Sequence, residues 1–239
     1  MRQKLWWAVI YALLGLIVLY LLVSLYRASE IVPAKKVTVR IKEGETVAGI
    51  NKELKAAGVF SNYELPSNLE GYLYPDTYEF FVPSGEDVVL QKFLDAFNSK
   101  AALLFVGDRS FRDVLTVASL IEKEVPPDGG DRQQVSGIIW KRLDAGVPLQ
   151  IDATLCYTKP EPCFPLIKSD MTTDSPYNTY RYAGLPPSPI GSPSADAISA
   201  ALHPTQSSYW FFLSDPKTKK TIFAKTIDEH NRNIVKYLE

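Results

Sequence analysis

An α+β fold is expected from two periodicities that occupy different parts of the chain. Residues 37–41 (VTVRI) alternate apolar and polar side chains like a half-buried strand, and SYWFFLS and TIFA, parted by a Lys-rich turn, read as a hairpin. Between these segments apolar residues recur every three or four positions, as on amphipathic helices. The sequence holds no internal repeat, no low-complexity tract and no Gly-rich phosphate loop.

The chain opens on LWWAVIYALLGLIVLYLLVSLY, residues 5–26, which is uncharged and as long as the roughly twenty residues a helix needs to cross a bilayer. Trp6, Trp7 and Tyr26 fall at its ends, where amphipathic rings sit at headgroup level. A cleaved signal peptide would have a shorter apolar region and small residues at its cleavage site, which Tyr26-Arg27-Ala28 does not offer. A single transmembrane helix is therefore expected at 5–26, after a short tail at 1–4 and before a tether at 27–36. Arg2 and Lys4 on one side face Arg27, Lys35 and Lys36 on the other, so charge alone does not orient it.

After the first strand and the Glu43-Gly44 turn, Thr46 can cap a helix with Val47, Ile50, Leu54 and Ala57 on one face, closed by Gly58. This strand–helix pair, placed at 37–65, is too small to hold a core alone. A mixed α+β domain follows at 66–239. It begins with the aromatic strand-and-turn region LEGYLYPDTYEFFVP and a helix capped at Ser84 that runs to about Lys100. The next helix, Phe111 to Val125, is stopped by Pro126-Pro127, and a third covers Arg132 to Ala145, ended by Gly146. Residues 147–193, rich in Pro, Tyr, Ser and Thr, read as long ordered loops, and loops of that length are usually functional. A short helix near 195–202, the hairpin and a last helix opened by a Thr226/Glu229 capping box complete the order.

Composition removes several classes of function. Lys and Arg total 26 against 27 Asp and Glu, so no positive field exists to recruit nucleic acid. His203, His230, Cys156 and Cys163 lack the paired spacing of zinc sites, so neither a metal nor another cofactor is expected. The two histidines read as hydrogen-bonded structural side chains. Cys156 and Cys163 bracket YTKPEP closely enough for a disulfide in an exported chain, although two free buried thiols would leave the same sequence.

On the helix FRDVLTVASLIEKEV, Phe111, Val114, Leu115, Ala118, Ile121, Glu122 and Val125 form one stripe, and Glu122 is its only charge. A carboxylate held against apolar neighbours loses hydration, which favours the protonated form and allows proton donation near neutral pH. The other reading pairs Glu122 with an arginine such as Arg132 or Arg142. Glu124 lies about 200° further round the helix, cannot share a site with Glu122, and reads as solvated.

Six blocks resemble, in order, those of MltG/YceG-like endolytic murein transglycosylases: EGYLYPDTYEF (70–80), ASLIEKE (118–124), KRLDAGVPLQIDAT (141–154), SPYNTYRYAGLPPSPIGSP (175–193), ALHP (201–204) and FAKTIDEHNRN (223–233). The resemblance spans nearly all of 37–239. It implies a lyase of cell wall biogenesis that cuts the MurNAc–GlcNAc bond of nascent peptidoglycan without water, leaving 1,6-anhydro ends and terminating strand growth. It implies that 66–239 is catalytic, that 37–65 is a shortened LysM-like unit, and that both lie outside the cytoplasmic membrane. Glu122 would be the acid, with Glu70, Tyr74, Asp76, Gln150, Asp152, Asn178 and Tyr180 around the substrate. Glycan strands and the membrane are the implied partners, peptidoglycan synthases further ones. Tyr72, Tyr74, Tyr78 and Phe80, at even spacing, also suit the packed face of a sheet. Two other functions fit the same chain: a non-catalytic anchored peptidoglycan-binding module, and a glycoside hydrolase pairing Glu122 with Asp152 or Glu70.

Overall fold

The computed structural model describes residues 2–28, 35–126, 131–159 and 162–238, and most of the tether expected at 27–36 lies outside them. The chain divides into two units, Met1–Lys36 and Val37–Glu239. The first holds helix α1 (Arg2–Ala28), whose described side chains, Trp6, Trp7 and residues 11–24, are all exposed. Among the described residues no helix is long and apolar enough to cross a membrane.

In the second unit β1 (Lys35–Arg40) and β2 (Thr77–Val82) form a two-stranded sheet, with Val39, Tyr78 and Phe80 turned inward. Helix α2 (Val47–Ala56) starts at Thr46, whose hydroxyl accepts the Gly49 N–H at 3.2 Å, and gives way at Gly58. Helix α3 (Glu86–Lys100) starts at Gly85 instead of the expected Ser84. The Ser84 hydroxyl instead donates back to the Phe81 carbonyl. One apolar cluster joins these four elements through Ile50, Leu54, Phe80 and Phe93. The core that begins in the 37–65 segment thus runs on past residue 65, because one strand and one helix cannot enclose it.

The larger cluster surrounds α4 (Phe111–Glu124), α5 (Arg132–Asp144) and, beyond two short helices α6 (Asp152–Thr158) and α7 (Lys168–Thr172), α8 (Ala195–Leu202). The region expected as loops therefore carries two helical turns of its own. Helix α4 is buried at every position from Val114 to Ile121, which makes it the central helix and not an amphipathic one lying on a surface. Trp140 of α5 donates its indole N–H to the Ala201 carbonyl at 2.9 Å, tying α5 to α8. The hairpin is β3 (Phe211–Ser214) antiparallel to β4 (Thr221–Ala224), with Phe211 opposite Ala224. Helix α9 (Ile227–Tyr237) follows, capped by Thr226, which accepts the Glu229 N–H at 3.2 Å. A disulfide joins Cys156 at the end of α6 to Cys163, with the Cα atoms 5.3 Å apart.

Candidate active site

Glu122 is not the isolated carboxylate that its helical stripe suggests. Arg132, the first residue of α5, donates to both of its oxygens, at 2.8 and 3.2 Å. The Ser194 backbone N–H, at the start of α8, donates at 2.9 Å, and the Ser194 hydroxyl donates as well. Arg132 also reaches the Ser194 hydroxyl at 2.9 Å and the Val125 carbonyl at 3.1 Å. With a side chain only 3% exposed, Glu122 staples α4, α5 and α8 together. The structure thus shows the arginine partner that the second reading named.

Glu124 is the carboxylate that meets the cleft. In the last turn of α4 Lys123 takes the exposed position, and α6 docks where Glu124 was expected to be solvated. The carboxyl accepts the Ala153 backbone N–H and lies beside Asp152, partly open to a cavity of about 1240 Å³. Burial first, and the Asp152 charge second, push it up from the usual 4.5 to about 7, with the Ala153 N–H offsetting only part of that rise. The Ser214 hydroxyl of β3 donates to the Glu124 carbonyl at 2.8 Å and steadies the helix end.

Three of the residues expected around the acid gather here, with Glu124 and not with Glu122. Asp152 accepts the Tyr180 hydroxyl. Burial, then that hydrogen bond to Asp152, raise the Tyr180 phenol and keep it a donor. Gln150 is exposed at the rim, its backbone at a φ of +53° and its N–H on the Thr179 carbonyl at 2.9 Å. Arg142, also in the wall, is held by the Leu149 and Trp210 carbonyls at 2.6 and 2.8 Å. His230 of α9 stacks on Phe211 at 5.2 Å, and burial, followed by the Arg142 charge, lowers its pKa so that it stays neutral.

The other four lie elsewhere. Glu70 occupies a hollow next to the cleft that shares Thr46 and Tyr157 with it. Its carboxylate accepts the Val47 N–H at the start of α2 (3.2 Å to either oxygen) and the Tyr157 hydroxyl at 3.0 Å. Burial outweighs these bonds and raises Glu70 to about 7. The following Gly71 sits at a φ of +85°, where an added Cβ would come 2.7 Å from Pro189, so only glycine lets Glu70 approach the loop this closely. Tyr74 lies toward Glu122: its hydroxyl accepts the Ala195 N–H, next to Ser194, and it feels the charge of Glu43, which itself feels Glu122; its carbonyl accepts the Tyr78 hydroxyl at 2.6 Å, and Asp76 is ion-paired with Lys100. Asn178 is wholly buried. Its amide donates to the Met171 and Thr173 carbonyls at 3.0 and 2.8 Å and its oxygen accepts the Tyr180 N–H at 3.0 Å, so it shapes the loop that carries Tyr180. No grouping of His, Cys, Asp and Glu among the described residues could hold a metal ion.

Glu124, Arg142 and His230 are the cleft residues that sequence reasoning left out. For Glu124 the signal was present, since it shares the block ASLIEKE with Glu122, but the helical wheel sent it to the wrong side.

Fold and site together define an α+β protein with a carboxyl raised to about 7 at the end of a central helix, facing a cleft. The chain belongs to the YceG-like family, whose model matches residues 19–236. It is 35% identical over 185 residues to the endolytic murein transglycosylase of Bacillus subtilis, covering 74% of this chain and 50% of that one. To the endolytic murein transglycosylase of Streptococcus pneumoniae it is 31% identical over 179 residues, covering 71% of this chain and 32% of the relative. The chain thus spans half the length, or less, of these curated relatives. The crystal structure of a YceG-like protein from Listeria monocytogenes is 28% identical, with a TM-score of 0.63 over 87% of this chain and 78% of that one.

Proposed function

We propose that this chain cuts peptidoglycan as an endolytic lytic transglycosylase, with Glu124 as the acid and then the base. The observation that carries the reading is a cleft-facing carboxyl raised to about 7 and so able both to give and to take a proton near neutrality. Glu124 protonates the oxygen bridging MurNAc to GlcNAc, and the C1–O bond breaks. The sugar's own 6-hydroxyl oxygen bonds to C1, and its proton returns to the Glu124 carboxylate. No water is consumed. Since that nucleophile is tethered to the reacting ring, its effective concentration is high and no second carboxylate is needed to form a glycosyl-enzyme or aim a water. Asp152 serves by keeping Glu124 protonated and by holding Tyr180. The names of the Bacillus and Streptococcus relatives support the same chemistry.

The closeness of Asp152 to Glu124 is also what a two-carboxylate hydrolase would need, and the products separate the two readings. Mass spectrometry of fragments from purified peptidoglycan is expected to show anhydro ends. Hydrated reducing ends, heavier by one water, would replace the lyase by the hydrolase, and no fragments at all would leave a binding module.

The proposal includes a single-pass anchor at 5–26 in the cytoplasmic membrane, with 37–239 on its outer face, where murein lies, and 37–65 as a shortened LysM-like unit within reach of synthases. Support comes from the sequence, in which residues 5–26 are uncharged and about as long as the roughly twenty residues a spanning helix needs. A reporter active only in the cytoplasm, fused after Glu239, should be silent, and activity would overturn the topology.

A further inference from the structure

Beyond the end of α6 the chain is braced three times. The disulfide closes Cys156 onto Cys163. Lys159 pairs with Asp170 at 2.7 Å, and the same Asp170 oxygen accepts the Ile167 N–H at 2.9 Å. The Asn178 amide then holds the Met171 and Thr173 carbonyls. A loop fixed this firmly could have turned its apolar side chains inward, yet Phe164 is 62% exposed and Ile167 57%, with Met171 also exposed.

Phe164 and Met171 line the same cavity as Glu124, while Gln150, Asp152 and Tyr180 supply it with polar groups. At about 1240 Å³ the cavity exceeds the roughly 300–1,000 Å³ of a site for one small ligand, which leaves room for more than a single ring. A pyranose is polar around its rim and apolar on the faces where its axial C–H bonds point. Polar groups together with an apolar lip match both aspects of such a ring, and the negative face of an aromatic ring attracts those C–H bonds.

We propose that Phe164, with Met171 beside it, is a stacking platform for a sugar ring of the glycan strand, presented at the lip of the cleft by the disulfide-tied loop. This rests on the reading of the cleft as a glycan site and adds a subsite to it. Phe164 carries no proton, so its part lies in gripping the strand and not in breaking the bond.

The test uses the full-length protein and purified, uncrosslinked glycan strands. Phe164→Ala should raise KM roughly five- to tenfold, the scale of one lost aromatic contact, and leave kcat and its pH profile in place. Dissociation constants measured in a Glu124→Gln background, where the strand survives, should rise by the same factor. Phe164→Trp should restore both. Reducing the disulfide should raise the KM of the unsubstituted protein and add little to Phe164→Ala. Unchanged KM and Kd in Phe164→Ala would overturn the platform, as would a loss confined to kcat. A full-length protein that neither binds nor cuts glycan would instead overturn the reading of the cleft, a result visible before any substitution at Phe164.

Discussion

Glu124→Gln separates the two carboxylates of the central helix by thermodynamics as well as by rate. In the fold Glu124 titrates at about 7 against the usual 4.5. At 1.36 kcal/mol per unit, ionising it in place costs up to about 3 kcal/mol, less whatever water in the cleft restores. Because the folded value is the raised one, the stabilising difference is complete below about 4.5 and is lost as pH rises through 7. Gln does not titrate and can still accept the Ala153 N–H. Relative to the unsubstituted protein, Glu124→Gln should therefore gain nothing at pH 4 and up to about 3 kcal/mol at pH 8, while strand cleavage falls at least about a hundredfold. Glu122→Gln should do the opposite. It leaves Arg132, only 11% exposed, without its counter-charge, which costs on the order of 3–5 kcal/mol, and the molecules that remain folded should still cut. Urea unfolding followed by tryptophan fluorescence at pH 5 and 8, alongside fragment release from purified peptidoglycan, measures both. A folded Glu122→Gln protein without activity, or a Glu124→Gln protein less stable at pH 8 than its parent, would refute the reasoning.

Glu70 is raised to about 7 by burial, so it too contributes stability that is present below about 4.5 and lost through 7. Glu70→Gln should flatten the fall in melting temperature between pH 5 and 8, and an unaltered slope would show that the hollow is wetter than its geometry indicates. Reducing the Cys156–Cys163 disulfide, whose cysteines are separated by 7 positions, should cost about 2 kcal/mol through loop entropy. The shift in urea midpoint with and without reductant measures it.

What the sequence determined by itself was local. The α+β class, the Thr46 and Thr226 caps, the course of α4 and α5 and the hairpin all follow from periodicity and capping chemistry within a few residues, and the structure has each of them. The Ser84 cap did not form: α3 opens at Gly85, and the Ser84 hydroxyl turns back to the Phe81 carbonyl. The ordered blocks were legible as a family pattern, and with them the neighbourhood of Gln150, Asp152 and Tyr180. What each glutamate of α4 meets was decided only by tertiary structure. A helical wheel tells which residues share a face but not what the face meets, and between Val114 and Ile121 every position of α4 is buried. One side carries Glu122 onto Arg132 and the start of α8, where its charge is satisfied. The other carries Glu124 onto α6, where burial first and the Asp152 charge second raise it to about 7 against the Ala153 N–H. The two residues differ in no way that propensity or spacing records. They differ in the groups that distant segments bring against them.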